Sequence, residues 1–204
     1  MRTTLTTLLL SALLLVGCTD ETSFLTSPET QVNQQSNSPN WVKLPADLSQ
    51  RLSVETVYSA EKIINGRNGG MIKLDVFIPR PGNPLGDFVV HAKVIVQRNS
   101  FPENENRTFT VSLDPDYCLL NITPSPSTLD KQLVIDLFVR GVDVLQVNPD
   151  TFGFIFVGDN SQVMETDSGI LQLNSEADWL KVMDAEITAP TDETPGGARY
   201  GFAR

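Results

Sequence analysis

Beyond residue 70 the chain alternates apolar and polar side chains in short runs. Ile72, Leu74 and Val76 form one series, Phe88, Val90, Ala92, Val94 and Val96 a second, Phe109, Val111 and Leu113 a third, and Leu133, Ile135, Leu137 and Val139 a fourth. Successive side chains of a strand point to opposite faces, so a period of two with one apolar face is what a half-covered strand requires. The predicted strands are Met71–Ile78, Phe88–Gln97, Thr108–Leu113, Tyr117–Thr123, Gln132–Val139, Phe152–Val157, Ile170–Leu173 and Trp179–Ile187. Between them stand turn formers: Asn65-Gly66, Asn68-Gly69-Gly70, Arg80-Pro81-Gly82-Asn83-Pro84, Asn148-Pro149-Asp150 and Gly158-Asp159-Asn160. Glycine admits positive φ, proline fixes φ, and Asn and Asp bond their own backbone, so each stretch favours a turn. Short strands punctuated in this way are the signature of a mainly β sandwich or barrel, and the expected class is an antiparallel β-sandwich. Helix is expected only around Pro45–Leu52 and Ser175–Leu180, where Ser175 with Asp178 offers a weak cap.

Phe152-Gly153-Phe154-Ile155-Phe156-Val157 is apolar at every position. It reads as a central strand covered on both sides, or one whose outer face a loop covers. The competing reading, an aromatic platform for sugar rings, carries less weight because such stripes more often fill cores. Cys118 alternates in step with Leu120 and Ile122 and is expected to be a small buried hydrophobe.

The chain begins differently. One positive charge at Arg2 precedes an apolar run from Leu5 to Val16, followed by Cys18. That run falls short of the roughly 20 residues a membrane-crossing helix needs, and its charged start and small residues fit a secretory signal. The box Leu15-Val16-Gly17-Cys18 resembles the processing site of bacterial lipoprotein precursors. The resemblance implies cleavage after Gly17 and a lipidated Cys18 as the mature N-terminus, with two or more acyl chains giving stable membrane attachment. Residues 19–40 are nearly all Ser, Thr, Asn, Gln, Pro and acid. Such a segment cannot bury enough apolar surface to offset its ordering entropy. The expected organisation is a signal peptide over 1–17, a lipidated N-terminus and flexible tether over 18–40, and a β-sandwich domain over 41–204. As a flexible coil the tether would reach roughly 25 Å. The implied localisation is the cell envelope, lipid-anchored and on the outer membrane, at either its periplasmic face or the cell surface.

With 25 acidic and 15 basic residues the formal net charge is −10, and loss of Arg2 with the signal would make the mature chain more acidic still. Nucleic acid is therefore an unfavourable partner, since phosphates release no counterions to an acidic surface. Anionic lipid repels it too, leaving acyl chains to hold it at the membrane. Cys118 is the only thiol left once Cys18 is lipidated, so no intrachain disulfide is expected.

Candidate chemistry is thin. His91 is the sole histidine and shares its strand face with Lys93 and Gln97, which reads as a solvated sheet position rather than a general base. A triad or a histidine-based metal site needs more partners. No nucleophile elbow, phosphate loop, zinc-helix motif or cysteine pair occurs. Asp114-Pro115-Asp116 and Asp159-Asn160 offer hard oxygen ligands without the spacing of a calcium loop, and turn aspartates are the simpler reading. Asn106-Arg107-Thr108 and Asn121-Ile122-Thr123 match a glycosylation sequon that carries little weight in a bacterial lipoprotein.

Four stretches together resemble the ZU-type β-sandwich found in ankyrins, netrin receptors and many bacterial envelope lipoproteins. They are Asn65-Gly66-x-x-Gly69-Gly70-x-Ile72, Leu137-Phe138-Val139-x-Gly141-x-Asp143, Phe154-Ile155-Phe156, and Ala198 to Arg204. In relatives the last strand commonly carries His-Phe-Ser before Arg-Tyr, and some cleave themselves there. Here Pro195-Gly196-Gly197-Ala198 precedes Arg199-Tyr200, so self-cleavage is not implied. The expected function is a non-enzymatic, lipid-anchored envelope protein serving as a structural or protein-interaction module, with no catalytic residue, cofactor or metal. Its partners would be the membrane, through the lipid, and an envelope protein or glycan. The alternative is a ligand-binding surface lipoprotein, with carbohydrate as a candidate ligand, using the loops at Pro79–Gly86 and Phe101–Asn106.

Overall fold

The computed structural model describes residues 39–55, 58–124, 128–157, 163–165, 168–186 and 198–203. The signal peptide, Cys18, the tether up to residue 38, the turn at 158–160 and the stretch at 195–197 lie outside them. Helix α1 (Ala46–Glu55) precedes β1 (Ser59–Asn65), β2 (Gly70–Ile78), β3 (Phe88–Val96), β4 (Asn106–Leu113), β5 (Leu119–Thr123) and β6 (Leu133–Arg140). After a 3-10 turn at Val144–Gln146 come β7 (Gly153–Val157), β8 (Val163–Glu165), β9 (Ser168–Asn174), β10 (Trp179–Glu186) and β11 (Ala198–Ala203). They form a six-stranded sheet ordered β1-β4-β5-β11-β7-β8 and a five-stranded sheet ordered β2-β3-β6-β10-β9, antiparallel throughout.

The alternating apolar rows meet between the sheets, as a sandwich requires. Leu74, Val76, Val90, Val94, Ile135, Leu137 and Val182 come from the five-stranded sheet, and Phe109, Val111, Ile122, Phe156, Tyr200 and Phe202 from the other. Strand β7 is indeed apolar on both sides. Phe154 and Phe156 enter the main core, while Ile155 and Val157 join Trp41 and Leu119 in a second cluster on the outer side of the six-stranded sheet. The segment covering that outer side is the one that leads into the domain. Val42 N–H donates to Phe202 O at 2.8 Å, Cys118 N–H donates to Val42 O at 2.8 Å, and Leu44 N–H donates to Asp116 O at 2.8 Å. Helix α1 then buries Leu48 and Leu52, which lie one turn apart on one face.

One helix and two strand starts are corrected. Ser175–Leu180 is not a helix: it contains the turn joining β9 to β10, and Trp179 already begins the strand. Asn174 Oδ1 accepts from Glu176 N–H and Ala177 N–H, both at 2.9 Å, so the polar cluster that resembled a helix cap closes a hairpin instead. The strand predicted from Phe152 starts at Gly153, and the one predicted from Tyr117 starts at Leu119. Strands β1 and β8 and the 3-10 turn had no clear alternation to reveal them. In β1 the adjacent Ile63 and Ile64 point to opposite faces, one 67% exposed and the other buried.

Candidate functional site

The outer face of the five-stranded sheet groups polar and aromatic side chains around an open depression. Because directly paired residues share a face, the strand register reads as rows across it. One row runs Phe77, Val89, Arg140, Trp179, Asn174. The next runs Asp75, His91, Phe138, Lys181, Gln172. A third sets Lys73 opposite Lys93 and Lys93 opposite Asp136. Past Val182 the register of β10 shifts, and Asp184 takes a positive φ of 50°. This bulge turns the Asp184 N–H onto Asp136 Oδ1 at 2.8 Å.

Within these rows an open depression of about 390 Å³ is walled by Lys73, Asp75, His91, Asp136, Phe138 and Lys181. His91 Nδ1 lies 2.6 Å from Asp75 Oδ1, and the imidazole stacks on Phe138 with ring centres 5.9 Å apart and 23° between planes. Phe138 in turn meets Trp179 at 6.0 Å. Lys93 Nζ donates to Asp136 Oδ2 at 2.7 Å. That bond holds the Lys93 ammonium above its ordinary range, against the lowering effect of burial. Burial alone would raise the Asp136 carboxyl, yet the Asp184 N–H and the Lys93 ammonium together hold it below the usual carboxylate range.

The pairing of His91 with Asp75 has the form of an oriented base, but both groups are mostly exposed, and among the described residues no Ser, Thr, Cys or Tyr lines the depression for such a base to activate. What the arrangement offers is a binding surface: half-buried rings, carboxylate acceptors and ammonium donors, held by a rigid sheet. Sequence reasoning placed His91 and Lys93 on this solvated face correctly. It missed Asp75, Phe138, Trp179 and Lys181 as their neighbours, because nothing local shows which strand lies beside which.

The other candidates are put to structural use. Burial pushes the Cys118 thiol up, with the Asp114 charge adding to the effect, so it is the buried hydrophobe expected. Asp114 Oδ1 accepts from Asp116 N–H at 2.9 Å and Tyr117 N–H at 3.1 Å, closing a turn. No group of three or more metal-ligating side chains converges among the described residues. The Pro79–Gly86 loop is stapled by buried Arg80, whose Nε donates to Gly86 O at 2.9 Å and Nη2 to Gly141 O at 2.5 Å. In the Phe101–Asn106 loop Phe101 is buried, packing on Phe109 beneath the Arg107 guanidinium. Leu15, Val16, Gly17 and Cys18 lie outside the described residues. Compared with protein-family models, curated proteins and solved structures, the chain gives no match.

Proposed function

We propose that this protein is a non-enzymatic component of a bacterial envelope, held on the outer membrane by lipid at Cys18, that works by contact through the outer face of its five-stranded sheet. The observation that carries the contact reading is that face itself, where His91 stacks on Phe138 and Trp179 tilts against it beside lysines and aspartates. Phe77, 62% exposed at one end of it, and Met71 and Ile170 at its edge strands extend the apolar area. Exposed apolar side chains grouped on one surface are what interaction sites present. The anchor reading rests on the Leu15-Val16-Gly17-Cys18 box and on the short apolar run before it. The ZU-type reading of residues 52–204 rests on the four quoted stretches. The aromatic grouping favours ligand binding over a purely structural spacer.

Two experiments test this. A fatty-acid label should enter the wild-type chain and fail to enter Cys18→Ser; equal labelling of both overturns the anchor. A photoreactive residue at position 77 should crosslink to envelope material in cells of the source bacterium, whereas one at exposed position 63 on the opposite sheet should not. No adduct at 77, or equal adducts at both, overturns the contact reading.

A further inference from the structure

We propose that the depression binds an acidic polysaccharide, with a uronate-type sugar ring stacked on Phe138 and carboxylates taken by Lys73 and Lys181. This deepens the contact reading and rests on it. The argument begins with a like-charge pair. Lys73 stands directly opposite Lys93 in the register, an arrangement unfavourable in a sheet unless compensated. The compensation goes to one side only: Asp136 binds Lys93 at 2.7 Å. Among the described residues neither Lys73 nor Lys181 has an ion-pair partner within 4.0 Å. Lys73 on β2 and Lys181 on β10 are three strand spacings apart, roughly 14 Å. Between them lies the His91–Phe138 stack.

Each feature matches one part of such a ligand. A sugar ring presents an apolar face of C–H groups to an aromatic ring. Its hydroxyls can donate to Asp75 and Asp136, and its carboxylate can accept from a lysine ammonium. Protein partners fit less well. A docking helix needs an apolar groove and an added strand needs a free edge, whereas this site is the polar middle of a sheet face. The lining carries Lys73, Lys93 and Lys181 against Asp75 and Asp136, in a chain with 25 acids and 15 bases. Even with Asp184 acting on Lys93, cations and acids balance here, so an anion meets less repulsion than the composition of the whole chain would give it.

Calorimetry of the full-length protein with oligogalacturonate, its methyl ester and polyglutamate is the test. Oligogalacturonate should bind, more weakly as salt rises. Lys73→Gln and Lys181→Gln should each weaken it about tenfold, the loss expected for one charge-assisted hydrogen bond. Both lysines lie on the outer face, so circular dichroism should show the fold unchanged. Equal binding of the methyl ester, binding of polyglutamate instead, unaltered affinity in both lysine variants, or no binding at all overturns the proposal. Crosslinks at position 77 without oligogalacturonate binding defeat this inference alone; absence of those crosslinks defeats the contact reading as well.

Discussion

Single residues carry separable parts of this molecule. Cys118 is fully buried and its thiol is pushed up, so a thiol reagent should label it only at the rate of unfolding. Rapid labelling of the native protein would contradict its burial. Cys118→Ala should lower stability by about 1–2 kcal/mol in denaturant melts, through a small cavity. Arg80 binds two loops through Gly86 O and Gly141 O, with Asp47 of α1 at 3.6 Å from Nη1. Gly141, at a φ of +82°, has no room for a side chain, since an added Cβ would sit 2.6 Å from Arg80 Nη2. Arg80→Ala should therefore cost about 3 kcal/mol, as expected for stripping a buried cation from its acceptors; a change within about 0.5 kcal/mol, the usual range for a surface substitution, would show that the staple is idle. Asp136 contributes stability above the unfolded carboxylate value near pH 3.9 that is lost as pH falls through its lowered folded value. The Lys93 contribution has the opposite sense, present below about pH 10.4 and lost above its raised value. Asp136→Asn keeps an acceptor for the Asp184 N–H but loses the charge. Its stability should fall less steeply than wild type below about pH 4, by under about 1 kcal/mol for a partly exposed pair.

At the level of elements, most strands were legible because one face of each is buried and the alternation records it. Phe88, Val90, Ala92, Val94 and Val96 of β3 show this plainly, and the same alternation set His91 and Lys93 on the outside. Strand β1 was not legible, since its Ile63 is exposed, nor was the three-residue β8. The Ser175–Leu180 segment misled because a side chain that caps a helix can equally close a hairpin. The candidate site itself was out of reach for a topological reason. It needs β3 beside β6 and β6 beside β10, bringing Lys181 next to Phe138 across a long stretch of chain, and a bulge at Asp184 that no turn residue announces. Packing between elements is close at β11, where Gly201 lies between Leu119 of β5 and Ile155 of β7. A Cβ there would sit 2.3 Å from Leu119 Cβ and 2.8 Å from Cys118 O. Gly201→Ala should cost about 3 kcal/mol by forcing the sheet apart, and a melt indistinguishable from wild type would contradict this packing.

At the scale of the whole molecule, an acidic chain keeps most of its surface unfavourable to anions and gathers three lysines and a histidine around one depression. The segment entering the domain pairs with β11 and the 116–118 loop, so it covers the six-stranded sheet, while no described segment covers the outer face of the five-stranded one. A lipid at Cys18 and a polar tether would keep that face near the membrane with limited reach. The claim that joins these is that the face is occupied in the envelope, and lysine footprinting tests it most directly. Acylating reagent is applied to the protein in intact envelopes and to the purified protein, and the modification rate of each lysine is read by mass spectrometry. Lys73 and Lys181 should be protected in the envelope and freely modified after purification, while Lys43 and Lys131, away from the face, react equally in both. Equal rates at Lys73 and Lys181 in the two preparations, or protection shared evenly with Lys43 and Lys131, would contradict it.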